Sequence, residues 1–196
     1  MCRFPLFETL AIMDGQVQNL AYHQARLNQA LKDYFKTENH LDLGQIIHVP
    51  AEFKQGKVRC RVDYNDQEYE INFYPYSPRK LERFKCVYTQ DLDYAFKYSD
   101  RRALEQLKEP DCDEVIIINK GFVSDCTIGN LLFLKAGVWY SPATYLLKGT
   151  QLSRLLAEKQ VVLTPIREED LAQYEKIMMV NALNPFDLSR AVALEL

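Results

Sequence analysis

Hydrophobic and polar positions in the first 78 residues follow the periods of two strand hairpins and a helix. The β-rich segments on either side of Asp14-Gly15 predict a hairpin, because this dipeptide accepts the positive φ angles of a tight turn. Leu27 and Leu31 recur at helical spacing behind Asn19, a predicted N-cap, so residues 20–35 are predicted to form a helix with one apolar face. The alternating segments GKVRCRVDY and EYEINFYPY predict a second hairpin, and a short helical stretch is expected around residues 44–53.

The rest of the chain interleaves short strands with helices. Strands are predicted for FKCVYT, EVIIIN, FVSD, NLLFL, VWYSP, VVLTP and KIMMVNAL, and helices for residues 101–107, residues 151–159 and the segment EEDLAQY. This order is typical of an α/β or α+β domain with a mixed sheet. The prolines at 75 and 78 and the charged run RKLER mark a boundary. We therefore expect a small antiparallel-sheet α/β domain over residues 1–80 and a mixed-sheet α/β domain over residues 84–196.

Composition and charge exclude several classes of protein. The 196 residues are 47% hydrophobic and 26% charged, as in ordinary globular proteins. There is neither a run of about 18 apolar residues nor a secretion signal, so no membrane association is expected. Five scattered cysteines without a C-x-x-C pair indicate reduced thiols in a cytoplasmic protein. A net charge of −3 with dispersed lysines and arginines argues against a nucleic-acid partner.

The common catalytic motifs are missing. The chain has no G-x-G-x-x-G, no G-x-x-x-x-G-K-[ST], no H-E-x-x-H and no G-x-S-x-G. His23, His40 and His48 lack the spacing of metal ligands and are predicted to be packing or surface residues, so no metal site is expected. One anion site is conceivable where Gly149 and Thr150 begin an amphipathic helix, whose first N–H groups and dipole favour a phosphate. The alternative is a surface helix capped by Thr150.

Seven segments of the chain together resemble one family. FET near the start, HQARL, FKYSDRR, DEVIIINKGFVSDCTIGNLLF, WYSP, LLKGT and VNALNPF occur in the order seen in class IV aminotransferases, the fold-type IV pyridoxal-phosphate (PLP) enzymes. The chain is most similar to the aminodeoxychorismate lyase branch. The resemblance implies a two-domain α/β fold of fold type IV that binds PLP between its domains, and a homodimer.

The resemblance also implies roles for individual residues. Lys97 stands where the family has the lysine that forms a Schiff base with PLP, although by sequence alone it could be a solvated lysine. Asp125 stands where the family has a glutamate against the pyridine nitrogen; the alternative is a turn aspartate. Arg26 matches the arginine that binds the cofactor phosphate, and the remaining phosphate contacts match Gly149, Thr150, Gln151 and Asn181.

Two features depart from the family pattern. Only MCRFPL precedes Phe7, where the family usually has an additional strand, and Leu152 occupies a place that often holds arginine. Candidates for binding a substrate carboxylate are Arg59, Arg61, Arg101, Arg102 and Arg154.

The implied function is cleavage of 4-amino-4-deoxychorismate to 4-aminobenzoate and pyruvate, a reaction of folate biosynthesis. A branched-chain or D-amino-acid aminotransferase would use the same residues and remains an alternative. The departures from the family pattern keep a catalytically reduced PLP-binding protein open, and an interaction module indifferent to PLP is a third class.

Overall fold

The computed structural model describes residues 2–195 as two compact units. The first unit contains the chain up to Pro78 together with Phe96–Asp100. The second contains Arg79–Ala95 and the chain from Arg101 onward. The short segment that carries Lys97 therefore belongs to the first unit, although more than a dozen residues separate it from the rest of that unit along the chain.

The first unit is built on a four-stranded antiparallel sheet in the order β2-β1-β3-β4. The strands are β1 (Leu6–Met13), β2 (Gln16–Val17), β3 (Lys57–Tyr64) and β4 (Tyr69–Pro75). Both predicted hairpins are confirmed. In the turn between β1 and β2, Asp14 and Gly15 have φ angles of 47° and 80°, the left-handed conformation that this dipeptide tolerates.

The predicted long helix of the first unit is confirmed as α1 (Leu20–Asp33). Its buried residues Leu27 and Leu31 share one hydrophobic core with the inward residues of β1 and β3. Asn19 is the N-cap residue of α1, as predicted, although its backbone is left-handed and its side chain makes no capping hydrogen bond. The stretch expected to be helical is divided into α2 (Leu43–Ile46) and a 3-10 turn at Ala51–Phe53.

The segment Phe96–Asp100 is attached to the start of β1. Tyr98 forms a β-bridge with Leu6, and the backbone N–H of Phe7 donates to the carbonyl of Lys97 at 3.0 Å. These bonds fix the backbone of Lys97 beside β1.

The second unit contains two mixed sheets, which confirms the predicted α/β class. The three-stranded sheet joins β5 (Phe84–Thr89), β6 (Glu114–Asn119) and β7 (Phe122–Val123), with β5 parallel to β6. The five-stranded sheet has the order β10-β9-β8-β11-β12 and only one parallel pair, β9 with β10. Its strands are β8 (Asn130–Lys135), β9 (Val138–Pro142), β10 (Val162–Thr164), β11 (Lys176–Val180) and β12 (Val192–Ala193).

The helices of the second unit are shorter than the sequence pattern predicts. They are α3 (Arg102–Glu105) and α4 (Thr150–Ala157). The segment predicted as a third helix is a 3-10 helix, Glu168–Gln173, and a further 3-10 turn at Leu188–Arg190 precedes β12. No helix within residues 2–195 is long and apolar enough to cross a membrane.

Candidate active site

Glu8 is a buried carboxylate on the inward face of β1. It alternates with Leu6 and Leu10, and all three side chains are buried. Helix α1 brings two donors to it, three residues apart on one helix face. Arg26 forms a two-pronged pair with Glu8, Nε to Oε1 at 2.8 Å and Nη2 to Oε2 at 2.6 Å, and Nδ1 of His23 lies 2.7 Å from Oε2. The predicted phosphate-binding arginine is thus held by a carboxylate of its own unit.

The charges of this cluster follow from burial and pairing. Burial by itself would raise the pKa of Glu8, but the charge of Arg26 and the hydrogen bonds from His23 and Arg26 outweigh it and lower that pKa to about 2. Burial lowers the pKa of His23, and the charges of Arg26 and Lys97 lower it further, against the opposing effect of Glu8. Glu8 is therefore ionised at neutral pH, while His23 is neutral and donates through Nδ1.

Lys97 lies next to the aromatic ring of Phe7. Its Nζ is 4.8 Å from the ring centroid, and the guanidinium carbon of Arg61 is 3.9 Å from the same centroid. Since the Lys97 charge also acts on buried His23, the structure brings Lys97 into electrostatic range of the cluster that holds Arg26. The two residues that the resemblance assigns to the cofactor in this unit are therefore neighbours.

The arginines considered for a substrate carboxylate already have partners. Arg61 forms a two-pronged pair with Asp63 at 2.7 and 2.5 Å. Arg59 stacks on the ring of Tyr74 at 4.5 Å, but its buried Nε has no hydrogen-bond partner. In the second unit, Arg101 donates to the Thr127 carbonyl and the Tyr94 hydroxyl, and Arg154 pairs with Glu158. Arg102, the fifth candidate, also interacts with another group of the protein.

Asp125 follows β7 in the second unit and is buried. Its Oδ1 accepts from Nδ2 of Asn130 at 2.7 Å, and its Oδ2 accepts from the backbone N–H groups of Leu146 and Leu147 at 2.9 and 3.0 Å. Burial raises the pKa of Asp125 to about 7, although the three hydrogen bonds act in the opposite direction. No cationic side chain among residues 2–195 pairs with Asp125.

The start of α4 and Asp125 are hydrogen-bonded to the same residue, Asn130. Gly149 is the N-cap residue, and its N–H donates to Oδ1 of Asn130 at 3.0 Å. Thr150 lies inside the helix and is buried, as is Gln151, so the alternative of a surface helix capped by Thr150 was wrong. Asn130, buried at the start of β8, thereby joins two of the predicted site residues, Asp125 and Gly149.

Asn181 and Leu152 have structural partners of their own. The side-chain carbonyl of Asn181 accepts from the N–H groups of Leu183 and Asn184 in the turn after β11, and its Nδ2 donates to the Ile128 carbonyl at 3.1 Å. Leu152 is fully buried in a core cluster of the second unit. The leucine at this family position is therefore a core residue.

Two residues of these clusters have no counterpart among the sequence predictions, Glu8 and Asn130. A detectable signal existed for Glu8, a lone acid within a strand that is otherwise largely apolar and buried. Asn130 had no such signal, because its partners Leu147 and Gly149 come from a loop whose path the sequence does not reveal. Within residues 2–195 the structure contains no group of three or more His, Cys, Asp or Glu side chains that could hold a metal ion.

Comparison with known proteins places the chain in a family. The sequence model of the class IV amino-transferases matches residues 96–186. An uncharacterized curated protein of Haemophilus influenzae strain Rd is 37% identical over 185 residues, which cover 92% of this chain and 98% of that protein. A solved structure from Haemophilus somnus 129PT, provisionally named a 4-amino-4-deoxychorismate lyase, is 40% identical, covers 95% of this chain and 100% of its own, and superimposes with a TM-score of 0.89.

A more distant structure shows the same fold. The branched-chain amino acid aminotransferase of Escherichia coli is 15% identical, covers 93% of this chain and 74% of its own, and has a TM-score of 0.72. The fold is therefore that of the fold-type IV PLP enzymes. On these matches the chain belongs to the class IV aminotransferase family, and it is a PLP-dependent enzyme of the aminotransferase or lyase type.

Proposed function

We propose that this protein is a PLP-dependent 4-amino-4-deoxychorismate lyase, which releases 4-aminobenzoate and pyruvate. The observation that carries the proposal is the 40% identity, over 95% of the chain, to the Haemophilus somnus structure that bears this name. The aminotransferase structure of Escherichia coli that shares the fold is only 15% identical, so it supports the architecture and not the reaction. By the same resemblance we expect a homodimer with separate domains at residues 1–80 and 84–196.

The surroundings of Asp125 fit the pyridine nitrogen of PLP. An ionised carboxylate offers about four lone-pair positions, and three are filled by the N–H groups of Asn130, Leu146 and Leu147. One position on Oδ1 remains for a further donor. Because Asp125 is buried without a cation, a protonated pyridine ring would supply both the missing donor and the missing positive charge.

The residues assigned to the phosphate also fit that group. Arg26 pairs with Glu8 through Nε and Nη2, and a guanidinium is a group that can bind two phosphate oxygens at once. The eight-residue helix α4 begins without a side-chain cap, and the first N–H groups of a helix are suited to anions. In our proposal Thr150 and Gln151 bind the phosphate there, Gly149 opens the helix with its own N–H held by Asn130, and Asn181 contributes from the end of β11.

The chemistry divides between the cofactor and two side chains. When bound, PLP supplies a conjugated ring that accepts the electrons left when a bond to a substrate carbon breaks. Asp125 would keep the ring nitrogen protonated. Lys97 would hold the cofactor, and its amine would take the proton from the substrate ring carbon and return it to the departing enolpyruvyl group, which becomes pyruvate. The substrate ring would become aromatic, and water would release 4-aminobenzoate.

Product analysis of purified, PLP-loaded protein tests the proposal. We expect 4-amino-4-deoxychorismate to give 4-aminobenzoate and pyruvate in equal amounts, and Lys97→Ala to abolish both products. Lys120→Ala is the matched control, since Lys120 is an exposed lysine paired with Asp91. Keto acids from branched-chain or D-amino acids without lyase products would identify an aminotransferase instead. PLP binding with no turnover of any of these substrates would identify a catalytically reduced homologue.

A further inference from the structure

Asn130 meets Asp125 through the donor end of its side-chain amide. Asn130 is buried and opens β8, where it forms a β-bridge with Asp125. Its Nδ2 donates to Oδ1 of Asp125 at 2.7 Å and to the carbonyl of Leu147 at 2.9 Å. The N–H of Leu147 in turn donates to Oδ2 of the same carboxylate. Asn130 and Leu147 therefore each donate to a different carboxylate oxygen of Asp125.

The acceptor end of the same amide meets the start of α4. Oδ1 of Asn130 accepts from the N–H of Gly149, the N-cap residue. A Cβ atom at position 149 would overlap this oxygen, so the contact requires glycine. The amide orientation is fixed as well, because a flipped amide would direct N–H groups at Gly149 and an oxygen at the Asp125 carboxylate.

We infer that Asn130 is a positioning residue that holds the Asp125 carboxylate and Gly149, the N-cap residue of α4, in one fixed arrangement. It thereby sets two separate contacts of the cofactor, the one to the ring nitrogen and the one to the phosphate. The inference rests on the proposed function, in which Asp125 and the start of α4 make these two contacts. One buried side chain with three hydrogen bonds connects them.

Two affinity ratios measure the two contacts without any turnover. The ratio of the affinities for PLP and for pyridoxal, which lacks the phosphate, reports the phosphate contact. The ratio for PLP and its 1-deaza analogue, in which carbon replaces the ring nitrogen, reports the contact to Asp125. Both ratios are obtained by titrating cofactor-free protein and following the absorbance of the bound ring.

Substitution of Asn130 should lower both ratios, whereas substitution of Asp125 should lower only one. We expect Asn130→Ala to reduce each ratio about tenfold, the factor that corresponds to about 1.4 kcal/mol. Gly149→Ala, whose Cβ would overlap Oδ1 of Asn130 and displace that side chain, should also reduce both ratios, and Asp125→Ala only the nitrogen ratio. If the Ala variant does not fold, Asn130→Ser retains a hydroxyl but is too short to reach both partners, and both ratios should again fall.

Ser141→Ala controls for a purely structural effect. Ser141 is a buried residue of β9, adjacent to β8, and its hydroxyl donates to the carbonyl of Leu131 at 3.0 Å. Its loss should lower the melting temperature and leave both ratios at the parental value. If an Asn130 variant also keeps either ratio at the parental value, the inference is overturned. If the parent itself discriminates neither analogue from PLP, the proposed cofactor site fails instead.

Discussion

The buried pair between Glu8 and Arg26 makes a quantitative prediction about stability. Glu8→Gln retains the shape of the side chain but removes its charge and directs an amide N–H toward the donors of Arg26 or His23. Glu8 is inaccessible to solvent and the Arg26 side chain is only 17% exposed, so the guanidinium would lose its partner in a place that water barely reaches. Breaking a buried pair in this way costs about 3–5 kcal/mol. We therefore expect the free energy of unfolding at pH 7 to fall by that amount.

The chain contains a matched control for this substitution. Arg3 and Glu68 form a pair of the same two-pronged geometry, at 2.8 and 2.7 Å, but their side chains are 67% and 46% exposed. Water screens both charges and replaces the lost hydrogen bonds, so Glu68→Gln should leave the free energy of unfolding almost unchanged. The comparison isolates burial as the cause of any difference.

The pH dependence gives a second, independent test. The pKa of Glu8 is lowered to about 2 from an ordinary value of 4.5, so the folded state favours the ionised carboxylate. Its contribution to stability is complete above pH 4.5 and is lost as the pH falls from 4.5 toward 2. When unfolding in urea is measured between pH 7 and pH 3, the free energy of unfolding of the parent should therefore fall toward that of the Glu8→Gln variant as the pH is lowered. Equal stabilities at pH 7, or a gap that stays constant down to pH 3, would refute this explanation.

Three shorter predictions concern the other residues of the site. Borohydride reduction of PLP-loaded protein, followed by peptide mass mapping, should place the pyridoxyl group on the peptide of Lys97; a label on another lysine would contradict the assignment. Arg26→Ala should weaken PLP binding about 10 to 150-fold, with partial recovery in Arg26→Lys. An unchanged affinity in a PLP titration would show that the phosphate binds elsewhere. Gly129→Ala should lower the melting temperature, because its Cβ would overlap the carbonyl of Val180 at the end of β11; an unchanged melting temperature would mean that the backbone yields easily.

The elements that the sequence predicted well are those specified by local patterns. The hairpin at Asp14-Gly15 needs only a turn dipeptide and β-rich segments on both sides, and α1 needs only leucines at helical spacing. The segment Glu168–Gln173 has helical composition, but its first turn is closed by Asp170, whose side chain accepts from the N–H of Arg167, and the chain continues as a 3-10 helix. Nothing in the residue pattern distinguishes that outcome from an α-helix.

The site was predictable only as far as the resemblance carried individual residues. Lys97 and Arg26 could be named from their motifs, but that Lys97 joins the unit containing Arg26 depends on a β-bridge between Tyr98 and Leu6, which are 92 residues apart. The partner of Arg26 could not be predicted either, because the pair with Glu8 depends on how α1 packs against β1. Long-range pairing of this kind is absent from any local pattern.

Two buried carboxylates, Glu8 and Asp125, have opposite pKa shifts for one physical reason. Glu8 has a cation beside it and its pKa falls, whereas Asp125 has none and its pKa rises to about 7. An acid with a raised pKa favours the neutral folded form, so Asp125 costs the cofactor-free protein stability progressively as the pH rises from about 4 to 7. A protonated pyridine ring at Asp125 would remove that cost. PLP should therefore raise the melting temperature more at pH 8 than at pH 5, and Asp125→Ala should lose this difference; an equal or smaller rise at pH 8 in the parent would mean that the ring nitrogen lies elsewhere.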